Sequence, residues 1–259
     1  YLLLDTLAGE YLHMPVYPAP DENWVYDVHV TPTVDGNVLV GPTISPSVIE
    51  NGDFDTTAAG RNLLLSNGAK LFPPLKPNLV IRSFAAVSPH LGAPADLPDD
   101  FIFDVHQEEH LIHLVRMDSP GITASGAIGK YIANIITTCE HASTNPAFRP
   151  ERKGIARFAD QDRETQSAWI LNNPDYGEII CRCECISKAE VLQALNNPLR
   201  VTTVTGIKYR CRATMGRCQG GYCQTRISSI IRKETGTEET EIRYSTENSA
   251  MFTGKVRDE

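Results

Sequence analysis

The chain has 259 residues, of which 41% are hydrophobic and 22% are charged, and its formal net charge is −8. This length and composition suit one large domain or two to three small ones, each able to bury a core. The chain has no apolar run long enough to span a bilayer and no basic segment leading into an apolar one. Neither a transmembrane segment nor a signal peptide is therefore predicted. Because the first residue is Tyr1 rather than Met, we expect a fragment or a processed product.

The first hundred residues are predicted to be rich in β-structure. Residues 28–34 and 37–41 flank Asp35-Gly36, a two-residue turn signal that predicts a hairpin. The other predictions for this region are a helix over residues 56–72, a strand over residues 79–86 and a loop over residues 88–100.

A second hairpin and a long helix follow. Short apolar runs at residues 101–105 and 111–115 surround the polar stretch His106–His110, which predicts a hairpin turn. Ser119-Pro120 then gives an N-cap followed by proline at the first helical position, and predicts a helix over residues 121–139 with a core face of isoleucines. The stretch His106–His110 also matches the zinc-peptidase pattern H-x-x-E-H. That pattern needs a helix to bring both histidines to one face, so the hairpin turn is preferred.

Six of the seven cysteines lie between positions 181 and 223. Residues 181–235 carry a net charge of +7, which leaves −15 on the rest of the chain. A basic module can bind nucleic acid or hold an anionic cofactor, and clustered thiols without an export signal favour metal or redox chemistry over disulfides. We therefore expect a metal cofactor and no nucleic-acid partner.

The cysteines are spaced as C-x-C, then 34 residues, then C-x4-C. A [2Fe–2S] cluster takes two thiolates on each iron. Zinc sites more often use C-x2-C pairs, so a structural zinc site is the open alternative. Cys185 and Cys211 are expected to be spare thiols that behave as buried small hydrophobic side chains. The predicted cluster ligands are Cys181, Cys183, Cys218 and Cys223.

Helix starts and arginines are expected to support this site. Ser187 followed by Glu190 predicts a capping box at the start of a helix that ends near Asn196, and Cys223 begins a second predicted helix over residues 224–233. The formal charge of an oxidised cluster with four thiolates is about −2. Four arginines are close enough in sequence to offset that charge: Arg182, Arg210, Arg212 and Arg217.

Residues 174–235, with Cys181-Arg-Cys183-Glu184 and the run Gly216 to Cys223, resemble the [2Fe–2S] domain of bacterioferritin-associated ferredoxin. More narrowly, they resemble the version fused to the C-terminus of anaerobic-type, FAD-dependent glycerol-3-phosphate dehydrogenases. Residues 30–43 resemble the substrate-domain strand pair of this family, whose fold is that of D-amino-acid oxidase. A further segment resembles the family's C-terminal flavin contact, and it contains Ser119, Pro120, Gly121, Ile122 and Thr123. At such a contact, the start of a helix stabilises negative charge on reduced flavin.

The resemblance implies an α+β protein with an antiparallel-sheet substrate domain of the D-amino-acid-oxidase type and a small all-α [2Fe–2S]-binding domain. No G-x-G-x-x-G follows an early strand, so the dinucleotide-binding half is absent from this sequence. The expected boundaries are 1–140 for the substrate domain with the last strand and helix of the FAD-binding fold, 141–177 for a linker, 178–235 for the cluster domain and 236–259 for a poorly ordered tail.

The implied function is that of a cytoplasmic FAD-dependent dehydrogenase that passes electrons from flavin through the [2Fe–2S] cluster to a partner protein or a quinone. FAD would belong to the full-length parent, and the fragment alone is expected to be inactive. Arg116, where the family tends to carry Gly, and Ser88, where an Arg is often found, leave the substrate open among a polyol phosphate, a hydroxy acid and an amino acid. Peripheral membrane association through a partner is also left open. The alternatives are a non-catalytic electron-transfer or scaffold module and a zinc-stabilised interaction domain.

Overall fold

The computed structural model describes residues 1–20, 28–44, 55–87, 100–199 and 201–254. Most of the predicted loop over residues 88–100, including Ser88, lies outside these ranges. The contacts divide the chain into two compact units, Tyr1–Val48 with Asp55–Ala85 and Lys153–Glu259, and Ile49–Phe54 with Ala86–Arg152. Within the described residues, no helix combines the length and the hydrophobicity that crossing a membrane requires.

An antiparallel sheet of four strands opens the first unit. In the order β2-β3-β1-β4 it contains β1 (Leu2–Leu4), β2 (His29–Pro32), β3 (Val38–Gly41) and β4 (Val80–Ser83). One face is buried because apolar side chains alternate along the strands, and helix α1 (Ala58–Leu71) covers that face. Gly68 permits the close approach, since a Cβ there would lie 2.6 Å from Val40 Cγ1. The predicted helix is thereby confirmed, and the predicted strand over residues 79–86 is shorter than expected.

The β2–β3 hairpin forms where Asp35-Gly36 predicts it, but its loop is longer than two residues. The Thr33 N–H donates to the Asn37 carbonyl at 2.8 Å, which leaves Val34, Asp35 and Gly36 in the loop. Gly36 has a φ of +84°, the left-handed conformation that often closes three-residue hairpin loops and that glycine adopts without strain.

The remainder of the first unit is mainly helical. Its elements are α3 (Arg163–Asn172), the short strands β7 (Ile179–Cys181) and β8 (Ile186–Ser187), α4 (Lys188–Leu195), α5 (Val204–Cys211) and α6 (Gln224–Thr235). Helices α4, α5 and α6 share one core, to which Val191, Ile207, Ile227 and Ile231 each contribute a fully buried side chain.

Helices α4 and α6 lie where the sequence predicts them, whereas α5 is not predicted. The Ser187 hydroxyl accepts from the Glu190 N–H at 3.3 Å, and the Glu190 carboxylate accepts from the Ser187 N–H at 2.7 Å, which confirms the capping box of α4. Helix α6 begins directly after Cys223, as expected. Helix α5 lacks a clear apolar period, although the Thr203 hydroxyl caps it by accepting from the Gly206 N–H at 3.0 Å.

Parts of the predicted linker and of the predicted tail are built into the first unit. Residues 153–177 include α3 and a group of packed rings formed by Phe158, Trp169 and Tyr176. In the tail, Ile242 is 1% exposed and joins the helical core. The structure therefore places residues 236–254 against the helices, where the sequence predicts a poorly ordered tail.

The second unit contains a hairpin and a long helix. Strands β5 (Ile102–His106) and β6 (Leu111–Val115) pair antiparallel, and α2 spans Gly121–Cys139, so both predicted elements are confirmed. The rings of Phe103 and Tyr131 meet edge to face at 5.2 Å. No residue of α2 is fully buried within the described part of the chain, although its isoleucines predict a core face. A two-stranded hairpin offers too little surface to bury such a face.

Candidate cysteine centre

The four predicted ligands come together between β7 and the start of α6. Cys181 ends β7, Cys183 lies in the turn before β8, and Cys218 and Cys223 lie in the segment that leads into α6. Cys181 and Cys223 are buried, at 1% and 0% exposure, whereas Cys183 and Cys218 are exposed. The centre therefore has one buried side and one side open to solvent.

The thiols lie as two pairs, Cys181 with Cys223 and Cys183 with Cys218, in each of which one thiol shifts the pKa of the other. The Cys223 thiol lowers the pKa of the Cys181 thiol to about 6, and the Cys181 thiol raises the pKa of Cys223. Negative charge on Cys181 also acts on both exposed thiols, so the two pairs are neighbours.

Backbone N–H groups act on these sulfurs. The N–H of Thr214 lowers the pKa of both Cys181 and Cys223, because an N–H dipole stabilises a thiolate. Burial raises the pKa of Cys218, but the N–H of Tyr222 and the thiol partner outweigh burial, and the pKa lies below its ordinary value. Cys223 is the N-cap of α6, where the helix dipole favours negative charge. The surroundings therefore favour the thiolates of Cys181 and Cys218, whereas the pKa values of their partners Cys223 and Cys183 are raised.

Glycines leave room beside the thiols, and one buried hydroxyl has no hydrogen-bond partner. A Cβ on Gly216 would lie 2.2 Å from Cys183 Cβ and 3.3 Å from its Sγ, so the loop requires glycine. Gly220 has a φ of +91°, which also favours glycine. Among the described residues, no partner is found for the buried Thr214 hydroxyl. A free hydroxyl next to the buried thiols is a suitable donor to an inorganic sulfide.

The four thiols do not form a ready-made metal site. In the described part of the chain, no three His, Cys, Asp or Glu side chains surround a single point where a metal ion could bind. Tetrahedral zinc requires four ligands around one ion, whereas a [2Fe–2S] cluster requires two thiolates on each of two irons. The structure therefore does not decide between cluster and zinc, and the role of the four cysteines as cluster ligands stays a prediction.

Two of the arginines predicted to offset the cluster charge are neutralised by carboxylates. Arg212 pairs with Asp35 at 2.5 Å and with Glu184 at 2.9 Å, and Arg217 pairs with Asp5 at 2.7 Å. The prediction is therefore wrong for Arg212 and Arg217, whose bonds join the helical part of the first unit to the sheet. The other two arginines make uncharged contacts. Arg182 lies over the ring of Tyr222 at 4.1 Å, and Arg210 donates to the Gly206 carbonyl at 2.9 Å.

The two spare cysteines have different surroundings. Cys211 is 7% exposed in the helical core, and burial raises the pKa of its thiol to about 12, as expected for an inert hydrophobic side chain. Cys185 is exposed and has a φ of +52°, which corrects the prediction that it is buried. The turn between β7 and β8 is too tight to cover its side chain.

Residues 119–123, the predicted flavin contact, lie at the start of α2 in the second unit. Pro120 rather than the preceding serine occupies the N-cap and no side chain caps the helix, so the predicted serine cap is wrong. The N–H of Gly121 is used in the preceding turn. The first N–H groups of a helix lack intrahelical acceptors, which leaves Ile122 and Thr123 as donors, and Ile122 is 94% exposed. An uncapped helix start fits contact with an anionic group.

Arg116, just before this segment, has a φ of +58°. Glycine adopts that left-handed conformation most easily, which gives a physical reason for the glycine expected at this position. The structure nevertheless accommodates arginine here.

The stretch His106–His110 forms a hairpin turn and not a helix. His106 pairs with Asp104 at 2.8 Å, and His110 pairs with Glu140 at 2.7 Å. Each histidine thus has its own carboxylate, and the stretch does not present both to one metal ion.

The sequence gives no sign of the two carboxylates that hold the cysteine centre against the sheet. Asp5 and Asp35 lie in separate segments, and no local pattern distinguishes them from solvated acids. The one available signal is the contrast between a basic cysteine-rich segment and an acidic remainder, since opposite charges favour contact between the two.

Residues 1–135 match the family described as DAO, FAD dependent oxidoreductase. The chain belongs to this family. It is 31% identical over 260 aligned residues to a glycerol 3-phosphate dehydrogenase of Caloramator mitchellensis, an alignment that covers 100% of this chain and 53% of that protein. It is 25% identical over 213 residues to one subunit of the anaerobic glycerol-3-phosphate dehydrogenase of Escherichia coli (strain K12), with 71% and 39% covered.

A third relative, the mitochondrial L-2-hydroxyglutarate dehydrogenase of Arabidopsis thaliana, is 28% identical over 145 residues, with 52% of this chain and 30% of that protein covered. The chain thus spans about half the length of these relatives or less. No solved structure matches the chain.

The family confirms part of the sequence-based interpretation. The chain is a mixed helix-and-sheet protein with a DAO-type domain, it is similar to glycerol-3-phosphate dehydrogenases, and the cofactor of its family is FAD. The family match ends at residue 135 and so does not cover the four cysteines. The alignment with the Caloramator mitchellensis protein extends over the whole chain.

Proposed function

We propose that this chain is the C-terminal part of a cytoplasmic, FAD-dependent dehydrogenase that passes electrons to an acceptor through a [2Fe–2S] cluster. The proposed ligands are Cys181, Cys183, Cys218 and Cys223. The substrate is a small polyol phosphate, hydroxy acid or amino acid, and the acceptor is a partner protein or a quinone. One observation carries the proposal: two neighbouring thiol pairs occur in a chain of the FAD-dependent oxidoreductase family.

When bound, FAD supplies a hydride acceptor and the cluster supplies a one-electron carrier. Each thiol pair of this chain would supply two ligands. The N–H groups of Thr214 and Tyr222 lower the pKa values of Cys181 and Cys218 respectively, which favours the thiolate form that a metal ligand needs. Gly216 leaves the space that a side chain would fill. In the second unit, the uncapped N–H groups of Ile122 and Thr123 would donate to the anionic ring system of reduced flavin.

The absorption spectrum of anaerobically purified protein tests the cluster. We expect bands at ~400–550 nm. Cys218→Ser should abolish them because it removes a ligand, whereas Cys211→Ser is the matched control and should leave them, since Cys211 lies in the helical core. A colourless, zinc-loaded protein would contradict the cluster. Loss of the bands in the Cys211 variant alone would show that the ligand set is wrong.

Reduction of an artificial acceptor by the full-length protein tests the dehydrogenase. Glycerol 3-phosphate, L-2-hydroxyglutarate and a set of amino acids are supplied in turn, and bleaching of the flavin spectrum is followed. One of these classes should reduce the flavin. A protein that binds FAD and the cluster but is reduced by none of them would instead be an electron-transfer module without a dehydrogenase reaction of its own.

A further inference from the structure

A cleft of about 300 Å³ opens beside Cys183, where the cysteine centre meets the sheet inside the first unit. One wall comes from the cysteine-bearing segments and includes Cys183 and Arg217. The opposite wall comes from the sheet side and includes Leu7, which follows β1, and Ile81 of β4. Because Cys183 belongs to the exposed pair of thiols, the cleft gives a small molecule direct access to the cysteine centre.

The sheet side of the cleft is apolar. The Leu7 side chain is 49% exposed, and Ile81 is half-buried in the same wall. Apolar surface in a concave site is removed from water when the apolar part of a ligand covers it. Ligand pockets span about 300–1,000 Å³, so a cleft of this volume admits one or two fused rings and not a large cofactor.

The rim of the cleft supplies a hydrogen-bond donor. The Arg217 side chain is 63% exposed, and its Nε atom donates to Asp5 at 2.7 Å, which is its one hydrogen bond within the described residues. Arginine has five N–H groups, so the two terminal nitrogens remain available. The carboxylates in the walls are already compensated, because Asp5 is bound to Arg217 and Glu184 is bound to Arg212 at 2.9 Å. The cleft therefore favours a ligand that carries an acceptor oxygen.

We propose that this cleft binds the ring of a quinone, with the ring against Leu7 and Ile81 and a ring oxygen accepting from the Arg217 guanidinium. A quinone ring is flat and apolar on both faces and carries acceptor oxygens at its edge, which matches one apolar wall and one donor at the rim. Bound there, it would lie next to Cys183. The choice of a quinone among flat carbonyl compounds rests on the proposed electron transfer, whereas the binding site depends on the cleft alone.

Equilibrium dialysis of the oxidised full-length protein against duroquinone tests the site. Every ring carbon of duroquinone that could add to a thiol carries a methyl group, so the probe reports binding and not alkylation of Cys183. Leu7→Glu should weaken binding about tenfold or more, because the ligand would cover a carboxylate. Arg217→Gln should weaken it about two- to tenfold, since a charged donor to a neutral oxygen is lost. Leu171→Glu, at an 86% exposed leucine of α3, is the matched control and should bind like the parent protein.

A second readout guards against misfolded variants. Saturating duroquinone should raise the thermal unfolding midpoint of the parent protein and of Leu171→Glu, but not that of Leu7→Glu. The site is overturned if the parent protein binds no duroquinone, or if Leu7→Glu binds it as tightly as Leu171→Glu.

Metal content separates this proposal from the proposed function, because binding to the oxidised protein needs neither substrate nor turnover. A protein that contains iron and sulfide but binds no duroquinone would overturn the cleft and leave the cluster standing. A zinc-loaded protein that binds duroquinone and loses it in Leu7→Glu would support the cleft while refuting the cluster.

Discussion

Replacing Arg212 tests the link between the cysteine-bearing helices and the sheet. Its guanidinium bonds to Asp35 at 2.5 Å, Glu184 at 2.9 Å and the Asn37 side chain at 3.1 Å. The side chains of Arg212 and Glu184 are only 17% and 10% exposed. Arg212→Ala therefore leaves a poorly solvated carboxylate without its partner. Charge-assisted bonds contribute about 1.5–3 kcal/mol each, and breaking a fully buried pair costs about 3–5 kcal/mol. For this partly buried group we expect a loss of about 3 kcal/mol.

The backbone of Arg212 offers a refinement. Its φ is +64°, a conformation in which glycine is less strained by roughly 1 kcal/mol. Arg212→Gly should therefore be less destabilising than Arg212→Ala by about that amount, although both lose the same side-chain bonds. The free energy of unfolding is measured in urea for both variants.

The matched control is Arg232→Gln. Arg232 pairs with Glu239 at 2.8 Å, but the two side chains are 56% and 52% exposed, so the expected loss is at most about 1 kcal/mol. If Arg212→Ala were as mild as this control, the bonds around Arg212 would not hold the helices to the sheet and the reasoning would fail.

Three further predictions concern single groups. Gly216→Ala should prevent cluster assembly and lower the free energy of unfolding by about 1–3 kcal/mol, because its Cβ would overlap Cys183. Gly126→Ala, with open space around it, is the control and should be neutral or stabilising. Iron content and urea unfolding check both variants, and a Gly216→Ala protein that carries a cluster would show that this glycine is not required. Burial alone raises the pKa of Asp5, but hydrogen bonds from Arg217 and the Leu7 N–H outweigh burial and hold the pKa below 3.8. The stability that this lowered pKa contributes is thus present above pH 3.8 and is lost as the pH falls through the pKa of Asp5 in the folded protein. Asp5→Asn should therefore reduce the loss of unfolding free energy at acid pH. An unchanged loss would show that the Asp5–Arg217 pair is unimportant. Burial, with the charge of Arg82 as a second cause, lowers the pKa of Lys208 from 10.5 to about 8 in the folded protein. The unfolded chain therefore binds more protons between these pH values, and the free energy of unfolding should rise with pH by roughly 3 kcal/mol. Lys208→Met should abolish the rise between about pH 7 and about pH 10, and an equal rise in that variant would refute the assignment.

Local signals in the sequence predict the elements that local chemistry determines. The bounds of α2 follow from a long apolar period after proline, the β2–β3 turn from Asp35-Gly36, and the start of α4 from the Ser187–Glu190 capping box. Helix α5 is missed because its side chains lack a clear period and its stability comes from packing against α4 and α6.

Contacts between distant segments leave no such signal. Arg212 and Asn37 are 175 positions apart, and Arg217 and Asp5 are 212 positions apart, so no window of sequence contains both partners. The spacing of the cysteines singles out four residues that the structure brings close together, but it does not predict that the thiols lie as a buried pair and an exposed pair. Burial of Cys211 and exposure of Cys185 likewise depend on the tertiary packing of α5 and on the tight turn after β7.

Metal analysis tests most directly whether the four cysteines hold a [2Fe–2S] cluster, as we propose. Iron, acid-labile sulfide and zinc are quantified in the anaerobically purified full-length protein, together with the Cys218→Ser variant. We expect about two iron and two sulfide per chain in the parent protein and neither in the variant. One zinc per chain without sulfide, lost in the same variant, would contradict it.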